Sequence, residues 1–382
     1  MKKEYLLTPG PTPVPPQARE VMAREIIHHR TSGYRKIFQQ VSELLKLVFK
    51  TKNDILTFTS SGTGAMEAAV VNLLSPGDKA IVVRGGKFGE RFEEICRAYN
   101  ITAINIDVEW GKAVNPDLIA GALDSDKQIS AVFTTLCETS TGVVNDIQAI
   151  GSIARKYKAI LVVDAISGLC ADNLQTDEWG VDIAIAASQK GLMTPPGLAF
   201  ISVSPKARER IEKSRLPRYY FDFKKAKKAL EKFDSPFTPA ISLMLALKEA
   251  LELIKAEGID NVLARHKRLS RAVKAAIKSL GLQMLAPDAP ANTVTAVKVP
   301  EGIDGLQLVK IIREKYGVTI AGGQGKLKGK IIRIAHLGYM AEFDLIIGIS
   351  ALEMALAELG YKVKLGSGLA AAEEIFSTPG KE

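Results

Sequence analysis

The chain is poor in cysteine and in aromatic residues. Only three cysteines occur in 382 residues, Cys96, Cys137 and Cys170, at no metal-ligand or disulfide spacing, and none follows residue 170. That excludes a disulfide-stapled fold and a cysteine-rich metal site, and it points to a reducing compartment. Aromatics make up 6% and are not interleaved with the basic residues, so the stacking platforms of single-strand nucleic-acid binders are missing. No apolar run approaches the ~20 residues of a membrane-spanning helix. The opening "MKKEYLLTPGPTPVPP" lacks the apolar core of a signal peptide. The expectation is a soluble, cytoplasmic protein without membrane or nucleic-acid partners.

What is present is a globular composition, 47% apolar and 24% charged. At roughly 150 residues per domain the length suggests two or three domains. The net charge of +9 is spread along the chain, apart from "KKAKKALEK" at 224–232, whose lysines would ring a helix and read as a solvated face. Such a mild basic balance suits small acidic substrates.

From about residue 55 to 203 strand-like runs alternate with helix-like ones: "ILTFTS", "AIVV", "ITAINI", "ISAVFTT", "AILVVDA", "VDIAIAAS" and "LAFISV", with "GAMEAAVVNLL" and "RFEEICRAY" between the early ones. That order predicts an α/β fold with a mainly parallel sheet covered on both faces. After Pro205, residues 241–281 show helical apolar spacing interrupted near Gly258, so two long helices are expected. Strands "NTVTAVKV", "GVTIA" and "IIRIAH" then mix with helices, which predicts a smaller α+β C-terminal domain. The expected division is an N-terminal arm over 1–15, a large domain over 16–258, a small domain over 259–365, and a tail over 366–382, read as a terminal helix or partly disordered.

Two of the apolar runs end on opposite charges, Asp164 in "ILVVDAISGL" and Lys190 in "IAIAASQKGL". In open α/β sheets ligands lie beyond the carboxyl ends of the strands. Asp164, Lys190, residues 60–64 after "ILTFT" and residues 138–141 after "VFTTLC" would all fall there. "SSGTGAMEAA" sets two glycines at a helix start, whose free N–H groups form a cup for one phosphate. It is neither a dinucleotide fingerprint nor a P-loop. One phosphate, a carboxylate and a lysine at one edge match pyridoxal 5′-phosphate (PLP). Its aldehyde takes a lysine as a Schiff base, and its ring nitrogen needs a carboxylate to stay protonated. The cofactor can lie between Asp164 and Lys190, so the two need not face each other. The adjacent His28 and His29 have no carboxylate or cysteine nearby, so they read as structural or near-site residues, and no metal is expected.

Taken together, "LLTPGPTPVP", "HHRTSGYR", "SGTGAMEAAVVNLLSPGD", "GGKFGERF", "CETSTGVV", "VVDAISGL", "ASQKGLMTPPGLAF", "SPFTPAISLMLAL" and "IIRIAHLG" resemble the class V aminotransferases of PLP fold type I, in the serine–pyruvate and alanine–glyoxylate branch. The resemblance implies Lys190 as the Schiff-base lysine and Asp164 as the partner of the ring nitrogen. It implies Ser61, Gly62 and Thr63 at the phosphate, Gln189 as a further cofactor contact, and Ile166 under the ring. Phe88 takes the position of a stacking aromatic, where many relatives carry Trp, and Thr139 stands near the ring oxygen and the substrate. Arg333 matches the residue that grips the substrate α-carboxylate, and the Gly10 backbone approaches the substrate. Thr238 matches a threonine that reaches the neighbouring subunit's phosphate, which implies a homodimer with shared sites. Ser235 stands where some relatives place a Tyr, which leaves a second contact of that kind unsupported.

The implied activity is ping-pong transamination from a small L-amino acid, alanine or serine, to glyoxylate or pyruvate. A neutral donor is favoured because one carboxylate-gripping arginine is matched, although Arg30, Arg35 and Lys87 could supply a second anion site. An anionic donor (aspartate, phosphoserine or 2-aminoethylphosphonate) is the alternative on the same chemistry. Cysteine desulfuration lacks its late nucleophilic cysteine. A non-catalytic accessory subunit, a label some relatives have carried as hydrogenase subunits, lacks an iron–sulfur or nickel ligand set, and here the lysine and aspartate are intact.

Overall fold

The computed structural model describes residues 3–378. A seven-stranded sheet is built from β1 (Asp54–Thr59), β2 (Lys79–Arg84), β3 (Thr102–Asp107), β4 (Ile129–Thr135), β5 (Ile160–Asp164), β6 (Ile183–Ala187) and β7 (Leu198–Val203). Their spatial order is β1-β7-β6-β5-β4-β2-β3. The pairings of β2 to β6 are all parallel, whereas β7 runs antiparallel to both β1 and β6. The mainly parallel sheet expected from the sequence is therefore present. β5, β6 and β7 are buried at every residue, which is why they read as unbroken apolar runs.

Helix α1 (Gly62–Leu73) follows β1, and α2 (Lys87–Ala98) follows β2. The small residues Gly64, Ala65, Ala68 and Ala69 let α1 sink into the core. The long amphipathic helix Ser32–Phe49, capped by the Thr31 hydroxyl, was not singled out in the sequence. Further on, α3 (Ile241–Glu257) and α4 (Ile259–Ser279) are the two expected helices, broken at Gly258. A second sheet joins β8 (Val294–Lys298), β9 (Ala321–Gly322) and β10 (Ile331–Ala335) in the antiparallel order β8-β10-β9.

Two large apolar cores and one small cluster of Ala272, Ala276, Ile349 and Ala372 result. One large core contains Ala18 and Val262 and everything packed on the large sheet, and the other gathers Leu7, Leu269, Val273, Ile277 and the inner face of the small sheet. Helix α4 thus contributes its first turn to one core and its later turns to the other. The N-terminal segment joins the second half of the chain: Tyr5–Leu6 forms a separate two-stranded parallel sheet with Val318–Thr319, and the Leu7 carbonyl accepts from Ala335 N–H, at the end of β10, at 3.0 Å.

Helices α5 (Glu342–Glu358) and α6 (Ser367–Ser377) end the described chain, and α6 packs along α4 and α5. Residues 379–382 of the tail lie outside the described residues. The start of α6 is held by Glu353, which is 2% exposed. Its carboxylate accepts from the N–H groups of Gly366 at 2.6 Å, Gly368 at 2.7 Å and Leu369 at 3.3 Å. A buried carboxylate on free N–H groups is both a cap and a partner for the helix dipole. The variant Glu353→Ala is expected to lose about 2 kcal/mol of stability in urea unfolding. Its terminal helix is expected to be cut faster in limited proteolysis, and unchanged cleavage would contradict this account of the cap.

Candidate active site

The carboxyl ends of the parallel strands form one rim. Asp164 is the last residue of β5, and Lys190 stands three residues past the end of β6. Residues 137–141 follow β4, residues 85–88 lead from β2 into α2, and residues 60–61 lead from β1 into α1. Both helices therefore present their N-terminal N–H groups to the same rim.

Lys190 is covered by the N-terminal segment. Its ammonium donates to the Pro9 carbonyl, and Thr12 anchors the segment through N–H to the Gln189 carbonyl at 3.1 Å and Oγ1 to the Lys190 carbonyl at 3.0 Å. Gly10 has φ +123°, and a Cβ there would overlap Lys190 Cε and Nζ. Only glycine lets the chain pass so close. Burial pulls the Lys190 amine down to about 8, although the Asp164 carboxylate pulls the other way.

Asp164 is 3% exposed, and its Oδ1 accepts from Ile166 N–H at 2.8 Å. Burial pushes its carboxyl up to about 7, against that hydrogen bond. Among the described residues no ion pair joins Asp164 to Lys190, so the two charges share the cleft without contact.

Ser61 caps α1 with its backbone alone, its side chain making no capping bond. Gly62 is closely approached, since a Cβ on it would lie 2.5 Å from Ile166 Cδ1. Thr63 Oγ1 accepts from Arg91 Nη1 at 3.2 Å, and the Arg91 guanidinium lies 4.8 Å from the centre of the Phe88 ring. Gln189 Oε1 is buried without a hydrogen-bond partner. A buried acceptor left unpaired costs free energy until a donor arrives. Free N–H groups, this spare acceptor, an amine of lowered basicity and a desolvated carboxyl together fit a ligand carrying a phosphate, an aldehyde and a basic ring nitrogen.

On the opposite wall, Thr139 shares a 2.5 Å hydrogen bond with Ser167, and its carbonyl accepts from Arg333 Nη1 at 3.0 Å. Arg333 lies in the middle of β10, is 5% exposed, and also donates from Nε to the Gly322 carbonyl at 2.9 Å. It makes no ion pair among the described residues, and burial lowers it to about 10.

The other cations weighed in the sequence are engaged elsewhere. Arg30 and Arg35 both pair with Asp234, at 2.7 and 3.4 Å, and Lys87 pairs with Glu90 at 2.6 Å. The His28 and His29 rings lie 4.7 Å apart, and the described residues hold no cluster of three or more metal-type ligands. Thr238 is exposed, on a segment whose Ala240 N–H bonds Thr59 Oγ1 at 3.0 Å at the end of β1. It is not brought onto the other candidate residues within this chain.

In the sequence Glu138 stands only as one of the rim residues 138–141, and nothing there marks Arg91, Thr12 or Ser167. Glu138 is 1% exposed, and accepts from Gly89 N–H at 3.0 Å, Phe88 N–H at 3.2 Å and the Ser140 hydroxyl at 2.5 Å. It thereby fixes the start of α2, and burial raises its carboxyl. The available signal was an acid at the end of a buried strand, in "CETSTG".

The Aminotransferase class-V family profile matches residues 5–334. The protein named soluble hydrogenase, small subunit, of Synechococcus sp. is 42% identical over 98% of this chain and 99% of its own length. The L-aspartate–glyoxylate aminotransferase of Paracoccus denitrificans is 39% identical over 97% of this chain and 95% of that one. The crystal structure of ureidoglycine–glyoxylate aminotransferase from Bacillus subtilis superimposes with a TM-score of 0.93 at 28% identity, covering 99% of each chain. The chain belongs to the class V aminotransferases.

Proposed function

We propose that this aminotransferase uses PLP to move the amino group of a small neutral L-amino acid, alanine or serine, to glyoxylate or pyruvate in a ping-pong cycle. The observation that carries the reading is the pair of buried, mutually unpaired charges Lys190 and Asp164 at the strand ends. When bound, PLP supplies an electron sink that makes the substrate α-proton removable.

Asp164 holds the ring nitrogen protonated. Its own carboxyl, pushed up to about 7 by burial, stays ionised best beside such a cation. Lys190 would hold the cofactor through its aldehyde, and its amine would be the group that accepts and returns a proton at the substrate α-carbon. A lysine brought down to about 8 can accept a proton near neutrality, which an ordinary lysine near 10.4 does poorly. Gly62, Thr63 and the backbone after Ser61 hold the phosphate. Ile166 and Phe88 enclose the ring, and Gln189 offers its free oxygen to the bound group. Arg333 grips the substrate carboxylate with its planar fork, oriented by Thr139 and Gly322, and Gly10 leaves the substrate backbone room. The exposure of Thr238 beside the end of β1 suits a contact reaching a second copy's phosphate, so we assign a homodimer with shared sites.

The neutral donor is supported by the engagement of Arg30, Arg35 and Lys87 with carboxylates of this chain. One observation favours an anionic donor such as aspartate: Arg91 also makes no ion pair among the described residues. Half-reactions separate the two readings. Alanine or serine is expected to bleach the visible band of the bound cofactor, and glyoxylate to restore it. Bleaching by aspartate alone would overturn the neutral-donor reading.

Two further outcomes follow from the same groups. Replacing Arg333 by Gln is expected to lower kcat/KM by about 100-fold, mostly through KM, since a buried charge-assisted contact is worth about 3 kcal/mol. An unchanged KM would remove Arg333 from the substrate site. In cofactor-free protein, covalent capture of PLP needs the neutral amine. Its rate is expected to climb with pH and level off above about 8, where Lys190 is deprotonated. A midpoint near that of exposed lysines would contradict the lowered basicity.

A further inference from the structure

We propose that Arg91 is a positioning residue whose missing counter-charge is the phosphate of bound PLP, an inference that rests on the cofactor reading above. Arg91 lies in the second turn of α2, yet its guanidinium reaches across to α1 and donates to Thr63 Oγ1 at 3.2 Å. The same guanidinium stacks on the Phe88 ring at 4.8 Å. It therefore bridges the two elements assigned to the cofactor, the phosphate cup and the aromatic cover.

Its own helix is rich in acids, but other cations hold them. Lys87 takes Glu90 at 2.6 Å and reaches Glu94 at 4.0 Å, and Arg97 takes Glu93 at 3.6 Å. Arg91 forms no ion pair among the described residues. A guanidinium left unpaired beside a helix N terminus creates a concentrated positive field.

The charge arithmetic points the same way. A phosphate monoester carries about −1.5 to −2 charges near neutrality, while a helix N terminus offers only about +0.5. The α1 terminus alone leaves most of the phosphate charge uncompensated. Lys190 is committed to the aldehyde, and Arg333 is anchored on Thr139 and Gly322. Arg91, already bonded to the first turn of α1, is the cation in position to supply the remainder. A substrate's distal carboxylate would draw on the same anion chemistry. The bond to Thr63 inside the cup favours the phosphate.

The test compares PLP with pyridoxal, which lacks the phosphate, on cofactor-free wild type, R91Q and R91K, with circular dichroism and thermal melts to verify folding. R91Q is expected to weaken PLP binding by about tenfold or more while leaving pyridoxal binding unchanged. R91K, which keeps the charge without the fork, is expected to fall between wild type and R91Q for PLP. If R91Q does not fold, the R91K ratio of PLP to pyridoxal affinity decides. A ratio equal to wild type in whichever variant folds overturns the proposal, as does equal weakening of both ligands, which marks a purely structural role. Unchanged PLP affinity with slowed conversion of aspartate assigns Arg91 to the substrate instead and also overturns it. Wild type that captures neither ligand sinks the cofactor reading and this inference with it, whereas normal wild-type capture with an unaffected variant sinks this inference alone.

Discussion

The rest of the site depends on two opposite charges withdrawn from water at the edge of one sheet and kept out of contact. Had Asp164 and Lys190 formed a tight pair, each would have stabilised the charged form of the other, and the amine would have been strongly basic and a poor nucleophile. Separated, each feels mainly its own desolvation, so the carboxyl rises toward 7 and the amine falls toward 8. The separation is fixed by architecture. β5 and β6 are adjacent and parallel, so both residues arrive at one rim, while the turn after β6 carries the lysine further along.

The lysine is also where the two cores meet. Its ammonium bonds the Pro9 carbonyl, three residues past Leu6, the end of the strand that pairs with Val318–Thr319. The Gly338 region packs on the same turn, close to Thr12 and the Lys190 carbonyl, and its N–H donates to the buried His266 at 2.9 Å. Arg265 donates to the Gly338 carbonyl at 3.1 Å and pairs with Glu257 at 2.7 Å. A chain of hydrogen-bonded polar groups, from the half-buried Glu257 and Arg265 to the buried His266, thus ties α3 and α4 to the lysine turn. Such networks are stiff when complete, because each member left unpaired would be costly.

The strand rim was legible because fully buried parallel strands are apolar throughout, so a charge at their ends stands out. Asp164 and Lys190 are visible for that reason alone. The reversed direction of β7 was not legible, since six buried residues in "LAFISV" read alike in either sense. The strand pairing of Tyr5–Leu6 with Val318–Thr319 joins segments more than 300 residues apart and leaves no local pattern. The rim position of Glu138 was legible, but its task was not, because its partners Phe88 and Gly89 are set by a helix start far away in sequence. The freedom of Arg91 is harder still to foresee. It depends on which neighbouring cations claim the carboxylates of its helix, and the sequence shows three acids and three bases there without assigning them.

Lys190, rather than any of the many exposed lysines, is expected to bond the cofactor. Reducing the PLP-loaded protein with borohydride makes that bond permanent, and peptide mass mapping then locates it. The account predicts one pyridoxyl group per chain, on the peptide carrying Lys190, lost when substrate amine is added before the reductant. A label on another lysine, or one spread over surface lysines and indifferent to substrate, would contradict it.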